Sequence, residues 1–459
     1  MDFEKIHRVY FLGIGGIGMS ALARYFKANG KAVAGYDKTS TALTDSLAEQ
    51  GIDVHFTDSV DSIPSQYLSK TGTLIVLTPA VPDDHKEYLY FKNKGFDILK
   101  RAQVLGLIFN AFKGVAVAGT HGKTSTTTFT SYLLKECGID CSAFLGGISK
   151  NYGTNLLLGK SDVVVAEADE FDRSFLQLHP FVSLVTTVDA DHLDIYRNIS
   201  EINDAFQGFL SQTATGGTVI LKKGVDLKVP PNCNTFSYSL DNAESDFYAS
   251  DIRIADEKYV FSFNTPSGVV PDMLLSIPGK TNIENAVAAM SVCYVLGISP
   301  ERLKDALPGL KGVVRRFDIQ YQDDKCVYID DYAHHPRELD AIIGSLRDLY
   351  KGRKITGIFQ PHLYSRTRDF AQEFAKSLSA LDELVLLDIY PAREKPIPGV
   401  SSDMLFNMVS VQQKHLCSKI NLLNTLKGLN IEVLLTAGAG DIDQIVGPVK
   451  QFLTEREKG

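Results

Sequence analysis

A chain of 459 residues, 44% hydrophobic and 22% charged, has the composition of an ordinary globular protein with room for two to four domains. A formal net charge of −8 argues against non-specific nucleic-acid binding, and no stretch reaches the uninterrupted apolar length of a membrane span. Six scattered cysteines fit neither a disulfide framework nor a zinc site, and Met1-Asp-Phe-Glu-Lys-Ile-His-Arg8 leaves no room for a signal peptide, so reduced thiols and a cytoplasmic protein are expected.

The first unit opens with Val9-Tyr-Phe-Leu-Gly-Ile-Gly-Gly-Ile-Gly-Met-Ser20, an apolar strand followed by Gly13, Gly15 and Gly18 in the order G-x-G-x-x-G, then a helical stretch to Asn29. A second strand, 32–36, ends on Asp37, an acid placed to bind a ribose hydroxyl. That pattern predicts a Rossmann-like sheet, and its geometry suits any diphosphate beside a ribose. The run Thr73-Leu-Ile-Val-Leu-Thr-Pro-Ala80 extends the parallel sheet.

A second unit begins near residue 105. Its run Val115-Ala-Val-Ala-Gly-Thr-His-Gly-Lys-Thr-Ser-Thr-Thr-Thr128 is a strand, a glycine loop and a helix start. Gly119 and Gly122 let successive N–H groups turn toward a phosphate, Lys123 reaches the outer phosphates, and the Thr124 hydroxyl is placed for magnesium. The usual P-loop has a glycine where this chain has Val117, so a tighter loop is expected. The strand Asp162-Val-Val-Val-Ala-Glu-Ala-Asp-Glu170 brings Glu167 to the carboxyl edge of the sheet, as a metal-holding acid requires. Asp189-Ala-Asp-His-Leu-Asp194 follows the next strand, with His192 as a metal ligand or a phosphate contact. Residues 215–277 read as a β flank of short antiparallel strands. After Pro278-Gly-Lys-Thr, the amides of Asn282 and Asn285 suit either a purine edge or helix capping.

A third unit starts around Gly312, with Arg315-Arg316-Phe317 at its entry. Polar clusters then follow successive strands: Asp330-Asp-Tyr-Ala-His-His-Pro336, Gln360-Pro-His-Leu-Tyr-Ser-Arg-Thr-Arg368 and Tyr390-Pro-Ala-Arg-Glu394. The expected architecture is α/β in three domains: a Rossmann-like domain over 1–104, a central P-loop ATPase-like domain with a β flank over 105–312, and a Rossmann-like domain over 313–459.

In order and spacing, these motifs together with Ser365-Arg-Thr-Arg368 and Gly438-Ala-Gly-Asp441 resemble the Mur ligase family, ATP-dependent enzymes that build the peptide of bacterial peptidoglycan. The resemblance implies that Gly13, Gly15, Gly16, Gly18, Met19, Ser20 and Asp37 hold a UDP-sugar. It implies that Gly119, Thr120, His121, Gly122, Lys123, Thr124 and Ser125 hold ATP, with Mg2+ on Thr124, Glu167 and His192. Asn282 and Asn285 resemble adenine contacts, Arg316 a phosphate contact, and Asp330 and Asp331 residues that close over the nucleotide. Tyr332, His334, His362 and Arg366 resemble positions that receive an amino acid. Lys123, Glu167, His192, Arg316 and His334 are the expected catalytic set.

The chain departs from the family pattern at Gly279-Lys-Thr-Asn282, where Gly-Arg-His-Asn is usual, and at Leu363, where many members carry a basic residue. No lysine lies between His192 and Lys222, where sister enzymes that add later residues use a carbamylated one. The branch so implied joins L-alanine to the lactyl carboxylate of UDP-N-acetylmuramate through an acyl phosphate, as a monomer or homodimer, with the third domain swinging in as ligands bind. Three rivals stand beside it: a recycling ligase that adds a tripeptide to the same UDP-sugar, an NAD-dependent dehydrogenase and a non-catalytic ATP-gated switch.

Overall fold

The computed structural model describes residues 3–189, 196, 199–392 and 394–457. Its first sheet has five parallel strands, β1 (Arg8–Leu12), β2 (Ala32–Tyr36), β3 (Asp53–His55), β4 (Thr73–Leu77) and β5 (Asp97–Lys100), in the order β3-β2-β1-β4-β5. Val9, Phe11, Leu74 and Val76 are buried on one face of the central strands and Tyr10, Leu12 and Ile75 on the other, as expected for a sheet covered on both faces. Strand order reverses beside β1, so the crevice opens where the glycine fingerprint begins.

The central sheet has seven strands: β6 (Lys113–Ala118), β7 (Ser142–Ser149), β8 (Thr154–Leu157), β9 (Val163–Ala168), β10 (Val182–Val185), β11 (Thr218–Lys222) and β12 (Asn234–Tyr238). Their order is β12-β11-β10-β6-β9-β7-β8, parallel except for the β7–β8 pair. The β flank therefore begins later than the sequence suggests, because β11 and β12 join the parallel sheet. The flank itself is β13 (Tyr248–Ala255), β14 (Lys258–Thr265) and β15 (Gly268–Leu275) in sequential order. The first two sheets share one hydrophobic core, in which Leu22 and Phe26 join Phe144, Leu156 and Val164. Polar contacts cross the same seam: Arg24 donates to Asn155 Oδ1, and Asn155 Nδ2 donates to Ile17 O at 2.6 Å and Ser20 Oγ at 2.9 Å.

The third sheet comprises β16 (Asp318–Gln322), β17 (Val327–Asp331), β18 (Ile355–Phe359), β19 (Glu383–Leu386), β20 (Gln413–Leu416) and β21 (Val433–Ala437). Its order is β16-β17-β21-β18-β19-β20, and β16 alone runs antiparallel to its neighbour. Two compact units result. One holds residues 1–251, 261–273 and 284–311, and the other holds 252–260, 274–283 and 312–459.

Candidate active site

Strand β6 runs into the loop 119–122, which turns on Gly119 (φ 132°) and Gly122 (φ 81°). A Cβ on Gly119 would lie 2.0 Å from Thr186 Oγ1, and one on Gly122 would lie 2.7 Å from Asn285 Oδ1, so space and backbone angle both demand glycine. The helix Lys123–Glu136 begins directly behind, with no side chain capping its first turn. Its positive end faces the loop, as an anion site requires.

Lys123 Nζ donates to Gly119 O at 2.6 Å and pairs with Glu170 Oε2 at 2.8 Å. Burial alone would lower its pKa, but Glu170, Glu167 and Asp169 overcome that, and the ammonium is held above its ordinary value. Thr124 Oγ1 donates to Glu167 Oε2 at 2.8 Å, across the β6–β9 pair in which Val117 sits opposite Glu167. A hydroxyl and a carboxylate side by side, next to a fixed ammonium and a cradle closed to side chains, fit a magnesium-bound triphosphate. The loop is tied further by His121 N–H to Thr187 Oγ1 (3.0 Å) and Asp189 N–H to Thr120 Oγ1 (2.9 Å). Ser125 is buried in the first turn, and Asn285, buried, accepts from Thr126 Oγ1 at 3.3 Å. His192 lies outside the described residues.

At the N-terminal crevice, Gly13 has φ 86°, and a Cβ there would meet Thr78 Cγ2 at 2.3 Å. The Gly15 N–H donates to Asp37 Oδ2 at 2.7 Å, so this acid braces the glycine turn itself. Gly16 caps the helix Ile17–Ala28, and Gly18 faces the guanidinium of Arg101. Met19 and Ser20 are buried in that helix, where Ser20 Oγ donates to Ile17 O.

In the second compact unit, Asp330 is fully buried and accepts from Arg315 Nε (3.0 Å) and Thr436 Oγ1 (2.6 Å). Asp331 accepts from the N–H groups of Phe317 (2.7 Å) and Ala333 (2.8 Å). Burial lifts its carboxyl to about 6, even though Arg316 and those two N–H groups pull it down. Both acids thus hold the Arg315–Phe317 turn, in which Arg315 and Phe317 have φ of 63° and 45°. Both arginines lie over the Tyr332 ring, Arg316 at 5.0 Å. His334 Nδ1 is 2.9 Å from Tyr332 O and 3.3 Å from Glu338 Oε2, and its ring is 6.1 Å from that of His362. Burial lowers the His334 pKa, against the pull of Glu338. Arg366 NH1 is 3.5 Å from His362 Nδ1, so Tyr332, His334, His362 and Arg366 gather at one sheet edge. Asn282 belongs to the same unit and donates its amide to Pro278 O at 2.6 Å.

Arg101 and Glu338 touch these clusters without a sequence signal of their own, and Glu170, part of a sequence motif, gains its partner Lys123 only in the fold. Lys123 and Glu170 are 47 positions apart, and only the β6–β9 pairing brings them together.

Profiles of the family match the chain in succession: "Mur ligase family, catalytic domain" over 8–113, "Mur ligase middle domain" over 117–293 and "Mur ligase, glutamate ligase domain" over 315–446. A UDP-N-acetylmuramate–L-alanine ligase of Porphyromonas gingivalis is 51% identical over 450 residues, covering 97% of this chain and 99% of its own. The crystal structure of a UDP-N-acetylmuramate–alanine ligase from Thermotoga maritima matches with a TM-score of 0.82 at 26% identity, covering 98% of this chain and 99% of that one. A murein peptide ligase from Psychrobacter arcticus matches with a TM-score of 0.70 at 20% identity over 97% and 98%, a likeness of fold alone. The chain belongs to the Mur ligase family.

Proposed function

We infer that this chain is the ATP-dependent ligase that joins L-alanine to the lactyl carboxylate of UDP-N-acetylmuramate in peptidoglycan precursor synthesis. The observation that carries this is the 51% identity to a ligase of that name, end to end. The tripeptide ligase is not favoured, since solved ligases that join peptides resemble this chain in fold alone, at 20% identity. A nicotinamide dehydrogenase would leave the phosphate loop idle, and a mere ATP-gated switch would leave the third sheet's histidines idle. We place the work in the cytoplasm, on three domains bounded at 1–104, 105–312 and 313–459, in a monomer or homodimer.

ATP would give its γ-phosphoryl group to the carboxylate, forming an acyl phosphate and releasing ADP, and magnesium bound with it would offset the phosphate charge. The protein's part is placement of charge. Lys123 and the loop N–H groups hold the phosphates, and Arg316 adds a second positive charge. Thr124, Glu167 and His192 are the residues that would hold Mg2+, and Asn282 and Asn285 the adenine. Asp330 and Asp331 support the nucleotide side through the turn that carries Arg316. The glycines 13, 15, 16 and 18, with Asp37 behind them and Met19 and Ser20 in the next turn, hold the UDP moiety.

Alanine binds among Tyr332, His334, His362 and Arg366. A proton on His334 Nδ1 donated to Tyr332 O leaves Nε2 with its lone pair, and burial keeps the ring neutral. Such an imidazole can take the proton that the alanine ammonium must lose before its nitrogen attacks the acyl carbonyl and inorganic phosphate leaves.

The test is phosphate release with ATP, magnesium and UDP-N-acetylmuramate while the amino acid is varied. Release that ignores L-alanine, or that needs a tripeptide, would overturn the reading.

A further inference from the structure

We infer that Glu394 is a positioning residue for the amino-acid subsite: its carboxylate, on the loop after β19, fixes the segment that presents His362 and Arg366. This deepens the ligase reading and rests on it. Locally, the segment 361–366 is held by Thr367, whose N–H and hydroxyl both donate to Leu363 O, at 3.1 and 2.7 Å. Leu363 sits at φ 71°, a backbone region costly for a branched side chain, and it precedes a helix of only six residues, Tyr364–Asp369, with no cap from its own N-cap side chain.

Long-range support for the segment comes from Tyr390 and Glu394. Leu363 N–H donates to Tyr390 O at 2.9 Å, and Tyr390 N–H donates to Pro361 O at 2.8 Å. The Tyr390 and His362 rings stack at 5.7 Å. Glu394 completes the splint, accepting from the Ser365 N–H at 2.9 Å and also from the Ser365 hydroxyl. Its carboxyl is held below its ordinary value: burial pushes it up, but the Ser365 hydroxyl and the N–H groups of Ser365 and Tyr364 outweigh that. The anion is thus matched to the segment by three donors.

Arg366 lies one residue beyond this anchor and His362 three before it. Loss of the anchor lets the strained Leu363 relax, and both side chains then swing away from the positions that receive the amino acid. A displacement of this kind acts on one substrate and spares the others.

The experiment compares steady-state kinetics of the full chain with Glu394→Ala, Glu394→Gln and Ser365→Ala. Glu394→Ala should raise the KM for L-alanine on the order of tenfold or more, leaving the KM values of ATP and UDP-N-acetylmuramate within about twofold. Glu394→Gln, whose amide oxygen still accepts the Ser365 N–H, should recover most of the loss, and Ser365→Ala should fall between. An unchanged alanine KM in a folded Glu394→Ala variant overturns the proposal. So does an equal rise in all three KM values, which a general structural defect would give. If Glu394→Ala does not fold, the graded pair Glu394→Gln and Ser365→Ala decides on the same alanine-selective criterion. Failure of the ligase reading shows separately, as a wild-type chain whose phosphate release does not respond to alanine.

Discussion

Lys123 and Glu170 form an ion pair of 2.8 Å inside the phosphate loop, and the same ammonium donates to Gly119 O at 2.6 Å. The lysine is therefore already aimed across the loop. Lys123→Ala is expected to lower kcat on the order of 10³-fold without unfolding the chain. Glu170→Ala should cost less, since it removes the brace and leaves the ammonium. Phosphate-release rates beside thermal melts check both, and ordinary turnover in Lys123→Ala would sink the mechanism.

Thr124 Oγ1 lies 2.8 Å from Glu167 Oε2, and substitutions at Thr124 separate a role in metal holding from one in packing. Thr124→Val keeps the shape and removes the oxygen. It should raise the magnesium concentration needed for half-maximal rate and cut kcat on the order of 100-fold. Thr124→Ser should behave nearly as the wild type. A magnesium titration in which valine and serine variants coincide would contradict the assignment.

Burial lifts the Asp331 carboxyl to about 6, above the unfolded value near 3.9. The folded chain therefore binds the extra proton between these two values, and this group's contribution to stability falls as pH rises from about 4 to about 6. That contribution is on the order of 3 kcal/mol, fully present below pH 4 and gone above the folded pKa. Asp331→Asn removes the titration. Denaturant unfolding of both chains should show the wild type losing ground to the variant as pH rises from 4.5 to 7, whereas parallel curves would rule the effect out.

Asp37 accepts the Gly15 N–H at 2.7 Å and so sets the shape of the first glycine turn. Asp37→Ala should raise the KM for UDP-N-acetylmuramate on the order of tenfold while the KM for L-alanine stays put. A binding titration with the UDP-sugar alone gives the same answer without turnover. Unchanged affinity would mean that the turn keeps its shape without the acid.

Much of this was legible in the sequence because its signals are local. A β-branched run, two glycines and a Lys-Thr pair within Val115–Thr124 write out strand, loop and helix start in ten consecutive positions, and β6 with the helix Lys123–Glu136 follows them. Strand β7 was not legible: Gly146 and Gly147 interrupt its apolar pattern, and its place beside β9 depends on tertiary pairing. The flank misread has the same origin, since Thr218–Lys222 carries no mark telling a parallel partner from an antiparallel one. In the site, residue types were readable but their partners were not. Asp37 read as a group for ribose, and its bond to Gly15 closes across 22 positions. The clamp on Lys123 and the splint on Ser365 likewise depend on distances through space that no motif spacing encodes.

The seam at Asn155, where Arg24, Ile17 and Ser20 meet the central sheet over a common apolar core, bears on how this molecule can be dissected. The first hundred residues are no portable cassette: excised, they would uncover Leu22 and Phe26 to water and invite clumping. Shortened versions intended for crystallisation or inhibitor screening should keep residues 1–311 intact. A compound wedged into that seam would reach the helix behind the first glycine turn without entering the phosphate loop.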